Sequence, residues 1–74
     1  MTTATGTRGD ALRLIRTAAG FSQTAVATRA GISQKTLSAF ERGDTEPDDF
    51  RNKAVIHAVV GLINDQNRLR GAAA

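Results

Sequence analysis

Apolar residues return at helical rather than strand spacing along most of the chain. Leu12, Ile15 and Ala19 share one face at i, i+3 and i+7, Val26 and Ala30 at i and i+4, and Leu37 and Phe40 at i and i+3. Each short stretch is framed by residues that start and stop helices. Asp10, Ser22 and Ser33 suit N-caps, and Gly20, Gly31 and Gly43 suit C-terminal stops. The pattern predicts helices over residues 11–19, 23–30 and 34–42. A fourth is predicted from about residue 48, where Pro47 and Asp48 or Asp49 supply a start, to about residue 70. Residues 1–9 have no periodicity and read as a flexible N-terminal arm, and residues 71–74 as a frayed tail. The expectation is one all-α domain over residues 10–70, a compact bundle of four to five helices.

The fourth helix carries a broader apolar surface than the others. Val55, Ile56, Val59, Val60, Leu62 and Ile63 span roughly 160° at 100° per residue, wider than the roughly 100° stripe one core contact uses. That width predicts two uses, the domain's own core and a second subunit, with Val55, Val59, Leu62 and Ile63 as candidates for a homodimer interface. The alternatives are that a small domain wraps this helix more fully, or that Gly61 breaks it.

Composition narrows the function classes. The 74 residues include no cysteine and one histidine, His57, which excludes disulfides, thiolate zinc sites and multi-histidine metal sites. No cofactor, metal or small-molecule ligand is expected. His57, set among apolar residues, reads as a surface or packing residue. Neither a membrane span nor the apolar centre of a signal peptide is visible, so a cytoplasmic protein is expected. No nucleophile–base pair, carboxylate pair in a pocket or phosphate-gripping glycine loop is present, so an enzyme is not expected.

Charge is distributed unevenly behind a net value of +3. Five of the seven acids, Glu41, Asp44, Glu46, Asp48 and Asp49, fall within residues 41–49, where Arg42 is the single base. Elsewhere nine bases face Asp10 and Asp65, a net of +7. A small domain with so basic a remainder is suited to a polyanion.

The segment from Gln23 to Phe40 has the spacing of a helix-turn-helix, over residues 22–42. Ala27 is small where two helices cross closely. Gly31 tolerates the positive φ of a tight turn. Val26, Ile32, Leu37 and Phe40 fill the angle between the helices. On the wheel of the second of these helices Thr36, Leu37 and Phe40 point inward, and Gln34, Lys35, Ser38 and Arg42 point outward with Ala39 at the edge. This outer face is polar and acid-free. Glutamine can fork onto adenine, lysine can donate to guanine, serine suits either, and an alanine methyl can touch thymine. Gln34, Lys35, Ser38 and Ala39 are therefore the candidate base contacts.

The stretch LRLIRTAAGFSQTAVATRAGISQKTLSAFERG, Leu12 to Gly43, resembles the Cro/lambda-repressor-type helix-turn-helix family of phage and bacterial regulators. Repressors of this kind are among the standard examples of the docking mode. The resemblance covers 32 of 74 residues. It rests on Arg16, the Phe21-Ser22-Gln23 lead-in, the Ala27/Gly31 pair and the Glu41-Arg42-Gly43 ending. It implies a dimer that binds double-stranded operator DNA with the third helix in the major groove. It also implies an ion pair between Arg16 and Glu41. Phosphate contacts are expected from Ser22 and Gln23 at one helix N-terminus, from Ser33 at the next, from Arg42, and from Arg8 through the arm; Arg29 is a weaker candidate. One departure stands out: Asp44-Thr45-Glu46-Pro47-Asp48-Asp49 replaces the basic or neutral residues usual after Glu-Arg-Gly. Such a loop either points away from DNA or lowers non-specific affinity, and some of its acids can serve the start of the fourth helix.

Together these readings predict a sequence-specific transcriptional regulator, a Cro-type repressor on a near-palindromic operator. The alternative is a protein-interaction module, such as an antitoxin or phage adaptor, that uses helix four and the acidic loop.

Overall fold

The computed structural model describes residues 7–73. They form four helices in the order α1 (Arg8–Ala19), α2 (Gln23–Ala30), α3 (Gln34–Arg42) and α4 (Asp49–Ala73), with no strand among the described residues. The fold is an all-α helix-turn-helix bundle. α1 packs on α3 and α4, and α2 on α3 and α4. Between them lie Leu12, Val26, Ala27, Leu37, Phe40, Val55, Ala58 and Val59, all buried. Ala19, Phe21, Ala30, Ile32, Ile56 and Leu62 close the edges of this core.

Helices α2 and α3 start and stop at the residues their sequence marks. Ser22 Oγ accepts from Ala25 N–H and Ser33 Oγ from Thr36 N–H, each at 3.0 Å. Each serine thus satisfies one of the amides that a helix start leaves without an internal partner. Gly31, at φ 77°, reverses the chain after α2, and Ile32 N–H returns to Ala27 C=O at 3.0 Å.

Helix α1 begins earlier than its sequence pattern indicates. Its N-cap is Thr7, not Asp10. Thr7 Oγ1 accepts from Asp10 N–H at 3.0 Å while the Asp10 carboxylate accepts from Thr7 N–H at 3.5 Å, a reciprocal capping box. Arg8 and Gly9 are consequently helical rather than part of an arm; residues 1–6 of that arm lie outside the described residues. Gly9 is buried where α1 crosses the last turn of α3. Ile15, expected inward, sits at the rim with 37% of its surface exposed.

Helix α4 is longer than expected and continues through both Gly61 and Gly71, so the tail expected to fray is helical to Ala73. Gly61 is used rather than broken: a Cβ there would lie 2.6 Å from Arg29 Nη2. The space it leaves lets the Arg29 guanidinium cross α4 and reach Asp65 at 2.6 Å. Asp48 starts the helix, its Oδ1 accepting from Arg51 N–H at 2.8 Å.

The apolar arc of α4 divides in two. Val55 and Val59 are at most 1% exposed and belong to the domain's own core, so they are not available as interface residues. Leu62 packs against the same core. The outer flank is different: Val60 is 48% exposed and Ile63 37%. At about 1.5 Å per residue, α4 is roughly 37 Å long. Its last turns run past the three-helix body, giving the molecule dimensions of 45 × 28 × 18 Å.

Candidate nucleic-acid interface

The outward side of α3 is free of the protein's own interior. Gln34 and Lys35 are exposed in the first turn, Ser38 and Ala39 are half-buried in the next, and Leu37 and Phe40 anchor the opposite side in the core. The Gly31 turn and the shared core of Val26, Ala27, Leu37 and Phe40 pack α2 against α3 and so fix which side of α3 faces outward.

A chain of hydrogen bonds ties the first turn of α3 to the bundle. Gln34 Nε2 donates to Gln23 Oε1 at 2.6 Å, and Gln23 Nε2 donates to Glu41 Oε1 at 3.0 Å. Glu41 is in turn gripped by Arg16, with Nε on Oε2 and Nη2 on Oε1, both at 2.7 Å. Arg16 also donates from Nη1 to Phe21 C=O at 2.9 Å, fixing the lead-in to α2. The ion pair is nearly dry, with side chains 12% and 3% exposed. Burial pushes the Glu41 carboxyl up, but hydrogen bonds from Arg16 and Gln23 and the nearby positive charge outweigh it and hold the group below the usual glutamate value. The same hydrogen bond raises the Arg16 guanidinium. Gln23 is thus a bridge between α3 and the buried pair, and one N–H of its amide is not used in it.

Arg42 is engaged as well. Its Nη1 donates to Ser38 Oγ at 2.7 Å, and Nε and Nη2 reach Asp44 Oδ2 at 3.0 and 2.9 Å. Ser38 accepts in this contact, so its own hydroxyl proton is left to donate outward. The Ser22 and Ser33 hydroxyls are exposed and act as caps.

Arg8 has a different place from the one its sequence position implied. Helical in α1, it donates to Pro47 C=O at 3.2 Å and pairs with Asp49 at 2.5 Å, locking α1 to the start of α4. It is thus held within the bundle and is not carried on an arm. Arg29 is likewise committed, to Asp65 on α4.

These pairs also change the character of the acidic loop. Asp44 is held by Arg42, Asp48 by Arg51 and Asp49 by Arg8. The Arg51 N–H and guanidinium hold the Asp48 carboxyl below the usual aspartate value. Three of the loop's four acids are thus engaged in internal ion pairs, while Glu46 is exposed and in none among the described residues. No sequence spacing announced the Arg8–Asp49 contact, which joins residues 41 positions apart. The Arg42–Asp44 contact, two residues apart, was within reach of a charge-pattern reading. Among the described residues no cluster of side chains suits a metal ion, and no helix is long and apolar enough to cross a membrane.

Residues 12–51 match a family model described as Helix-turn-helix, of the Cro/C1 type. The match spans more than half of the chain, and the chain belongs to this family, a family of DNA-binding regulators. No curated protein and no solved structure matches the chain.

Proposed function

We propose that the protein is a sequence-specific transcriptional regulator, a Cro-type repressor that reads a near-palindromic operator as a homodimer. The observation that carries this reading is the outer side of α3, where Gln34, Lys35 and Ser38 stand clear of the core with no acid among them. Side chains of these types fork onto or donate to base edges in the major groove. Gln34 and Lys35 lie in the first turn, the part of a recognition helix that reaches deepest. The side chains of Ser22, Ser33 and Gln23 are proposed to donate to DNA phosphates and so set register. Two such helices, about 34 Å apart, would meet successive turns of one face of the duplex.

Replacing Lys35 with alanine is expected to weaken binding to a selected operator by roughly 1–3 kcal/mol and to relax preference at one base pair. Equal losses on operator and random duplex, measured at fixed salt, would remove Lys35 from the base-reading set.

The second copy is proposed to seat on the outer flank of α4. Ile56, Val60 and Ile63 recur there at i, i+4 and i+7, followed by Asn67 one turn on. Ile63→Asp is expected to shift the protein to monomer in sedimentation while its helical circular dichroism is kept, because the side chain lies outside the core. A dimer that survives this change assembles through another surface. Asp44, Asp48 and Asp49 are each paired within the chain, so of the loop's acids only Glu46 is left unpaired for a basic protein partner.

A further inference from the structure

We propose that Asp44 is a built-in counter-ion that competes with DNA phosphates for Arg42 and so keeps affinity for non-cognate duplex low, an inference that rests on α3 being the groove-reading helix. Arg42 and Lys35 are the only cations on α3, and Arg42 alone of the two is occupied by an acid of the same chain. Its Nε and Nη2 converge on one Asp44 oxygen at 3.0 and 2.9 Å. A phosphate oxygen would present the same kind of acceptor to the same donors.

The carboxylate is not on a loose loop. Gly43 ends α3 at φ 81°, and Asp44 N–H donates to Ala39 C=O at 2.9 Å, which seats the Asp44 backbone against the last turn of the reading helix. Asp44 also lines a cleft with Gln23 and Arg42, two of the expected phosphate donors, and with the cation Arg13. Asp48 and Asp49 differ: their partners are Arg51 on α4 and Arg8 on α1.

The pair is weak enough to yield. Its side chains are 61% and 58% exposed, and ion pairs at that exposure hold only loosely. Binding to random duplex comes almost wholly from neutralised phosphates, one term per cation engaged. A cation already neutralised adds little to that sum. Gln34 and Lys35 read bases without touching Asp44, so removing the acid should raise general affinity and leave the preferred half-site sequence as it is.

The test is a double-mutant cycle on a mixed-sequence duplex, followed across a salt titration. Asp44→Asn is expected to bind roughly two- to fivefold tighter at low salt, with a log K against log salt line steeper by about 0.9. In an Arg42→Gln background the same change should give a much smaller gain, because the cation it would release is gone. Gains of equal size in both backgrounds would show a general charge effect and overturn the proposal, as would no gain at all. If the parent protein binds duplex with a steep salt dependence and Asp44→Asn adds nothing, only this inference fails. If no variant binds duplex at any salt, the DNA-reading role fails and takes this inference with it.

Discussion

Arg16→Ala is expected to cost roughly 3–5 kcal/mol of folding stability, the range for removing one partner of a buried ion pair. A chain of this length is stabilised by about 4–11 kcal/mol in total, so the loss takes from roughly a quarter of that stability to all of it. The cost does not come from a lost attraction alone. Without Arg16 the Glu41 carboxylate, 3% exposed, is left in the core rim with only the Gln23 amide for a partner. Phe21 C=O loses its donor as well, which loosens the lead-in to α2. The variant therefore fails by unfolding rather than by misreading bases.

Two further measurements separate this mechanism from simple loss of packing. Replacing both partners with apolar residues, Arg16→Met with Glu41→Leu, should recover much of the stability because no buried charge is left alone. The pH profile should change in a defined direction. In the parent the folded-state Glu41 value lies below the ordinary one, so the pair's contribution is complete above about pH 5 and is lost as pH falls through the folded-state value. In Arg16→Ala the unpaired carboxyl can be protonated at little cost, so the deficit against the parent should narrow toward acid pH. A deficit that stays constant from neutral pH to pH 3, followed by urea unfolding, would count against Glu41 as its source.

Gly9→Ala should be nearly as damaging, although it adds a single methyl group. A Cβ at this position would lie 1.7 Å from Phe40 O and 2.7 Å from Phe40 C. These are backbone atoms at the C-terminal turn of α3, and the same carbonyl oxygen accepts Gly43 N–H at 3.1 Å. Neither can swing aside as a flexible side chain would. Relief requires lifting α1, which carries Leu12 out of the core and Arg16 away from Glu41. The cost is put at about 3 kcal/mol, the upper part of the overpacking range, or a fall in Tm of roughly 12–24 °C. Gly71→Ala is the control. It is also a helical glycine, but nothing lies within 4 Å of the added atom, so it should be neutral or slightly stabilising. An unchanged Tm for Gly9→Ala would mean that α1 does not approach α3 as closely as described.

The sequence by itself determined the local structure of α2 and α3. Ser22, Ser33, Gly31 and Gly43 act on amides and carbonyls within a few residues of themselves, so position along the chain is enough to read them. The same holds for which side of α3 is apolar, since a helix repeats every 3.6 residues whatever surrounds it. Where two local solutions competed, the pattern was insufficient. Thr7 and Asp10 are both good caps, and the choice of Thr7 places Gly9 inside α1, at the crossing with α3.

Only the tertiary structure decided how side chains far apart in sequence are spent. Arg8 is paired because α4 brings Asp49 to it, and Arg29 because Gly61 opens its path to Asp65. Six apolar residues of α4 look alike on a helical wheel. The bundle covers the side bearing Val55 and Val59 and leaves Val60 and Ile63 toward solvent. A periodic pattern records how wide an apolar surface is, whereas the angle at which neighbouring helices approach fixes which part of it they cover.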